Sequence, residues 1–303
     1  MKLTLANAGS LSDTYFSEPL TTFAQDYYKE LSVEKVLQFV SGNVIVPRRF
    51  QYRVWGDATE LAPLSSPPDP RRALGANFSA LSVSGTIQLN ETDNKGFSVI
   101  LDDDEINADP KWEVVAVKRA VRTMMEYERS VLHDQLYYTS GVTPVSVTWN
   151  GGSGQDPDSD LIQLLQAVES AVGVRPNRII MTASAWTART VTLRAQTSLL
   201  AVSSAMLTPD QLGAQLGVKL MVPDAVDFAP GSALVFAFYQ QDGGFTEDIS
   251  TIKRFQSLCA DGALFRSYKR QVGNKTWEVT VEHYSRLVLT SPTLLGCLAV
   301  TTT

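Results

Sequence analysis

The sequence predicts an α+β fold organised around one long helix, and three observations carry that reading. Residues 111–138, KWEVVAVKRAVRTMMEYERSVLHDQLYY, run for 28 positions without Gly or Pro. Within them Val114, Val117, Val121, Met124, Val131, Leu132 and Leu136 recur mostly at steps of three or four, which is one apolar face of an amphipathic helix about 40 Å long. The stretches on either side, RRFQYRVWG (48–56) and KTWEVTVEHYSRLVLT (275–290), alternate apolar and polar residues as strands do. Residues 46–100 hold few large apolar side chains for their length. A β-excursion of that composition cannot support itself in water and needs a surface from elsewhere.

The elements follow in order. Residues 1–45 read as an arm with two short helical pieces, EPLTTFAQDYY and SVEKVLQFV. Residues 46–101 read as an extended β-loop. It contains the Pro-, Ser- and Arg-rich segment LAPLSSPPDPRRALGAN and two strands around an Asp-Asn-Lys-Gly turn at 93–96. Asp109–Pro110 is a suitable helix start, and Gly141 with Pro144 ends the long helix. Lys118, Arg119, Arg122, Glu126, Glu128 and Arg129 are read as its solvated face. The strand VSVTWN closes the segment 102–150. GGSGQDPDSD is a linker ending in a helix cap, and Leu161, Leu164, Leu165, Val168 and Val172 mark a second amphipathic helix. RIIMTASAW, TPDQLGAQLGV, KLMVP and SALVFAFYQ complete an α/β unit within 151–255. Residues 256–303 are expected to return as strands beside the long helix, because a rod with one apolar face needs a partner layer.

Bulk charge narrows the function. Thirty-two acidic residues against 26 basic ones give a net charge of −6, which argues against a protein gripping nucleic acid over a broad basic face. The N-terminus has no secretory apolar run, and no window offers the roughly 18 apolar residues of a membrane span. Cys259 and Cys297 are too few for a disulfide framework and read as buried small residues.

A search for chemistry finds no constellation. His133 and His283, the only histidines, are both read as surface residues. Ser184 lacks the glycines of a nucleophile elbow, and the GGSG run at 151–154 lacks the Lys-Ser/Thr of a phosphate loop. Asp102, Asp103, Asp104 and Glu105 are consecutive and cannot all face one ion, so helix capping and solvation describe them better than a metal site. No catalytic residue, cofactor or metal is expected.

The order of parts resembles the major capsid proteins of tailed bacteriophages, with the Hong-Kong-97-type fold. RRALGANFSAL resembles the returning segment of their extended loop. LDDDEINADPKWEVVAVKRAVRTMMEYERSVLHDQL resembles their acidic junction and spine helix, and WNGGSGQDPDSDLIQLLQAVESAVGVRPNRIIMTASAW their passage into the axial domain. The resemblance implies an arm (1–45), an extended loop (46–101), a peripheral domain with the spine helix (102–150), an axial domain (151–255) and return strands (256–303). It implies a shell of hexamers and pentamers around double-stranded DNA, assembled in the host cytoplasm, with separate scaffolding, decoration and portal proteins as possible partners. Arg48, Arg49, Arg71 and Arg72 are then expected to pair across subunits with Asp102, Asp103, Asp104 and Glu105. Two features depart from the pattern. The short segment ending in His-Pro after Trp186 is missing, and Lys95, the only lysine between 46 and 110, sits at the turn, so a lysine–asparagine crosslink is not expected. The short arm speaks against a fused scaffolding domain. The competing readings are an encapsulin-like nanocompartment shell and an α/β enzyme with its site in 155–255.

Overall fold

Two N-terminal helices, α1 (Glu18–Glu30) and α2 (Ser32–Val40), place Leu20, Ala24, Tyr28, Val33, Val36, Leu37 and Val40 on one side. Neither could hide that face alone, and both lay it on the long helix, here the spine. The computed structural model describes residues 13–56, 71, 85–223, 233–242 and 244–302. After α2 come β1 (Gly42–Ile45), β2 (Arg49–Val54), β3 (Thr86–Glu91), β4 (Asp93–Asp102) and a short helix α3 (Asp103–Ala108).

The spine helix α4 (Trp112–Asp134) continues through a π-helical turn, Gln135–Thr139, close to the span expected. Ala116, Val117, Ala120, Val121, Met124, Met125, Leu132 and Leu136 are buried along it. The side chain of Asp109 accepts from the Lys111 backbone N–H at 2.8 Å, satisfying one of the orphan donors at the helix start. One expectation fails here: Glu128, read as solvated, is fully buried.

The remaining elements are β5 (Val145–Thr148), α5 (Pro157–Val172), β6 (Arg178–Met181), α6 (Ala183–Ala195), α7 (Leu199–Ala205), α8 (Pro209–Leu216), β7 (Lys219–Met221), β8 (Leu234–Phe238), β9 (Ile252–Ser257), β10 (Phe265–Gln271), β11 (Thr276–Leu289) and β12 (Leu295–Thr301). They build two five-stranded sheets. In the first, β11 is the organising strand. It pairs antiparallel with β10, β4 and β9, and β1 adds parallel to β9. The spine crosses this sheet against β4 and β11, the partner layer its apolar face required. The second sheet has the order β5-β12-β8-β6-β7. The helix α5 packs on β12 so closely that a Cβ on Gly296 would lie 2.8 Å from Leu164 and Val168 side-chain atoms, which explains the glycine.

Three sequence expectations are corrected. There is no turn at 93–96: β4 runs continuously from Asp93 and keeps a ten-residue register with β11, while β3 pairs with β2. Cross-strand pairing over that length outweighs the local turn preference of Asp-Asn-Lys-Gly. The last strand does not complete the first sheet, because β12 lies between β5 and β8 in the second. Conversely β9, which begins inside 151–255, belongs to the first sheet.

The ribbon β2–β3 stands apart from both sheets. Its inward residues Phe50 and Tyr52 pack on Phe255 of β9, with ring centroids 4.4 and 5.4 Å away. Its outward side shows Ile87 and Leu89, and Leu89 is 77% exposed.

Candidate assembly surface and buried charge cluster

The residues expected at subunit contacts occupy three places. Arg48 precedes β2 and lays its guanidinium over the Tyr284 ring at 4.0 Å. Arg49 is largely exposed and lies 3.7 Å from Glu91, its register partner across the ribbon. Exposed pairs of this kind contribute about 0–1 kcal/mol. Arg71 is exposed, and Arg72 lies outside the described residues. Asp102–Glu105 form the start of α3. Asp102 accepts from the Asp104 backbone N–H at 3.2 Å, and Glu105 accepts from the Asp102 N–H at 3.4 Å, a capping box. Among the described residues no ion pair joins Arg48 or Arg49 to these carboxylates.

Sequence reasoning missed the most concentrated chemistry in the molecule. Four charges form an alternating chain through the interior: Lys95 on β4, Glu128 on the spine, Arg254 on β9 and Glu34 on α2. The successive separations are 3.0, 2.5 and 2.6 Å. Tyr28 donates to Glu34 at 2.5 Å, and Gln38 donates to the same carboxylate at 2.8 Å. The Ser285 hydroxyl donates to Glu128 and accepts from Lys95. His283, expected at the surface, is fully buried instead. It stacks on Phe265 with centroids 4.7 Å apart, and its Nδ1 is 3.0 Å from the Leu264 carbonyl. A carbonyl only accepts, so Nδ1 carries the hydrogen there. Nε2 lies 3.5 Å from Glu128.

Burial alone would raise the pKa of Glu128. The Arg254 charge, with the Lys95 charge behind it, outweighs burial and holds the carboxyl well below its usual range. Burial would likewise lower Arg254, but Glu128, Tyr28 and Glu34 raise it. Burial, helped by the Glu34 carboxylate, pushes the Tyr28 hydroxyl up. The thiols of Cys259 and Cys297 are buried as expected and pushed up to about 12 by desolvation. The cluster therefore holds fixed opposite charges sealed among side chains, a binding arrangement between secondary elements. A surface depression of about 500 Å³ in the α/β unit, lined by Trp149, Asn150, Ser184, Thr187 and Val191, has no ionisable side chain on its walls.

No family model matches the chain, and no curated protein matches it in sequence. Solved structures do. A phage-related protein from Bordetella bronchiseptica aligns with 95% of this chain and 97% of its own, at 16% identity and a TM-score of 0.67. The capsid of cyanophage P-SCSP1u aligns with 87% of this chain and 86% of its own, at 6% identity and a TM-score of 0.50. The chain has the Hong-Kong-97-type capsid fold. Shells of a second kind share it: an encapsulin from Synechococcus elongatus aligns with 89% of this chain and 88% of its own, at 12% identity and a TM-score of 0.51. No helix among the described residues is long and apolar enough to cross a membrane.

Proposed function

We propose that this chain is the major capsid protein of a tailed phage or prophage. It assembles into hexamers and pentamers of an icosahedral shell that encloses double-stranded DNA without reading its sequence. The observation that supports the reading is the structural match of 95% of the chain to 97% of a phage-related protein. The β2–β3 ribbon supports it. It displays Leu89 and Ile87 outward beside Arg49 and Glu91, an apolar pair rimmed by charge, as a subunit contact requires. Arg48, Arg49, Arg71 and Arg72 serve as the basic side of such contacts and Asp102, Asp103, Asp104 and Glu105 as the acidic side. The role is architectural, without catalysis. Its place is the virion, reached by assembly in the host cytoplasm, and separate scaffolding, decoration and portal proteins are the further partners.

An encapsulin-like shell around a protein cargo is the second reading, favoured by the encapsulin match. Negative-stain electron microscopy with light scattering tests both. Closed shells or hexameric and pentameric rings are expected. A monodisperse monomer or dimer, unchanged by concentration or a co-expressed scaffold, overturns the shell reading. Nuclease-protected DNA in shells from an infected or induced host selects the phage, and a co-purifying enzyme selects the compartment.

A further inference from the structure

The alternating chain Lys95–Glu128–Arg254–Glu34 joins β4 and α2, two elements that each pack on the spine. Lys95 sits on β4, the strand that follows the ribbon. Glu34 sits on α2, in the N-terminal helical segment. Neither hydrogen bonds nor pairs with the other. The three inner side chains are at most 1% exposed and Lys95 is 14% exposed, so water screens the chain little. Two carboxylates and two cations balance. Removing the Lys95 charge leaves Glu128 and Glu34 competing for one guanidinium, with a net buried negative charge. Breaking a buried pair by deleting one partner is far costlier than neutralising both.

We propose that this chain of charges is a coupling device: the seating of β4 sets how firmly the α1–α2 segment is held, through Glu128 and Arg254. A displacement that draws Lys95 out loosens α2 at the other end, and release of α2 loosens β4 equally, because coupling is reciprocal. The device belongs to the single subunit and does not depend on what the shell contains.

Hydrogen exchange followed by mass spectrometry on the full chain tests it, with parent and variants held in the same assembly state. Lys95→Met is expected to speed exchange of amides in residues 18–40 roughly tenfold, the scale of one coupled buried pair. Lys95→Arg, which keeps the charge, is expected to leave them at the parental rate. The decisive arm is Lys95→Met combined with Glu34→Gln, which restores charge balance at two sites that do not touch. Exchange at 18–40 in the double variant is expected to be slower than the product of the single effects by roughly tenfold. Strictly multiplicative effects, or a Lys95→Met change confined to β4 and the spine, overturn the proposal. So does a Lys95→Met protein that fails to fold and is not rescued by Glu34→Gln.

Discussion

Arg254 is the member of the charge chain with two carboxylate partners, and Arg254→Met is the sharpest single perturbation of the fold. The side chain is completely buried and sits 2.5 Å from Glu128 and 2.6 Å from Glu34. Met fills much of the volume, so the loss is electrostatic rather than a cavity. Lys95 still faces Glu128, and Tyr28, Gln38 and Asn43 still donate to Glu34. The two carboxylates are thus not both stranded, and the cost is that of one broken buried pair, about 3–5 kcal/mol. That is a large fraction of the roughly 5–15 kcal/mol that stabilises an ordinary domain. Urea unfolding of unassembled subunits, followed by far-ultraviolet circular dichroism, reads it as a midpoint about 1–2 M lower at unchanged slope. The combination of Arg254→Met with Lys95→Met, Glu34→Gln and Glu128→Gln removes every charge and is expected to recover at least half of the loss. A midpoint for Arg254→Met within about 0.3 M of the parent would refute the reasoning, since it would mean that water or rearrangement neutralises the carboxylates.

Acid should act through the same cluster. Glu128 is held well below the ordinary glutamate value of 4.5, so its contribution to stability is present above that pH and is lost as pH falls through the lower folded value. Thermal melts of unassembled Glu128→Gln protein should start less stable at neutral pH and lose less than the parent below about pH 4.5; parallel profiles would contradict this. At the ribbon, Leu89→Asp should leave the melting temperature of the subunit nearly unchanged, because the side chain is 77% exposed. It should suppress assembly in light scattering, since burying a leucine at a contact is worth about 1.5–3 kcal/mol, and normal shells from this variant would remove Leu89 from the contact. Arg71→Ala together with Arg72→Ala should yield shells that come apart at lower temperature than the parent, and equal heat resistance would exclude both arginines from subunit pairing.

The parts of the fold that show in the sequence are those whose signal is local. The spine is legible because its stripe repeats with helical period over 23 residues and no Gly or Pro interrupts it. The caps Asp156 and Thr208 and the left-handed Gly173 mark helix ends with residues that suit them anywhere. The charge cluster is illegible for the opposite reason. Glu128 lies among Glu126 and Arg129, which pair with each other on the partly exposed flank of the helix, and its distinguishing partner Arg254 is on another element far along the chain. His283 alternates in step with the buried Val279 and Val281 of β11, and Phe265, its register partner on β10, covers it, which a polar side chain in a strand does not announce. Lys95 sits in the strongest turn signal of its region, and only the ladder with β11 reveals it as strand. Strand β12 is apolar almost throughout, so its composition fits either sheet equally. Arg48 precedes β2 and the acidic group caps α3, and among the described residues no ion pair joins Arg48 or Arg49 to that group.

The position of β11 and β12 along the chain has a temporal meaning. Translation proceeds from the N-terminus, and domains generally fold as units once their residues have emerged. Here the first sheet lacks its organising strand until residue 289 has left the ribosome, and the second lacks the strand that joins β5 to β8 until residue 301 has followed. A nascent chain therefore carries the spine with α1, α2 and β4 but without β11, the strand that pairs with β4 and β9 beside it. Neither sheet can close before those strands have emerged, so any surface built on the two sheets forms late in synthesis.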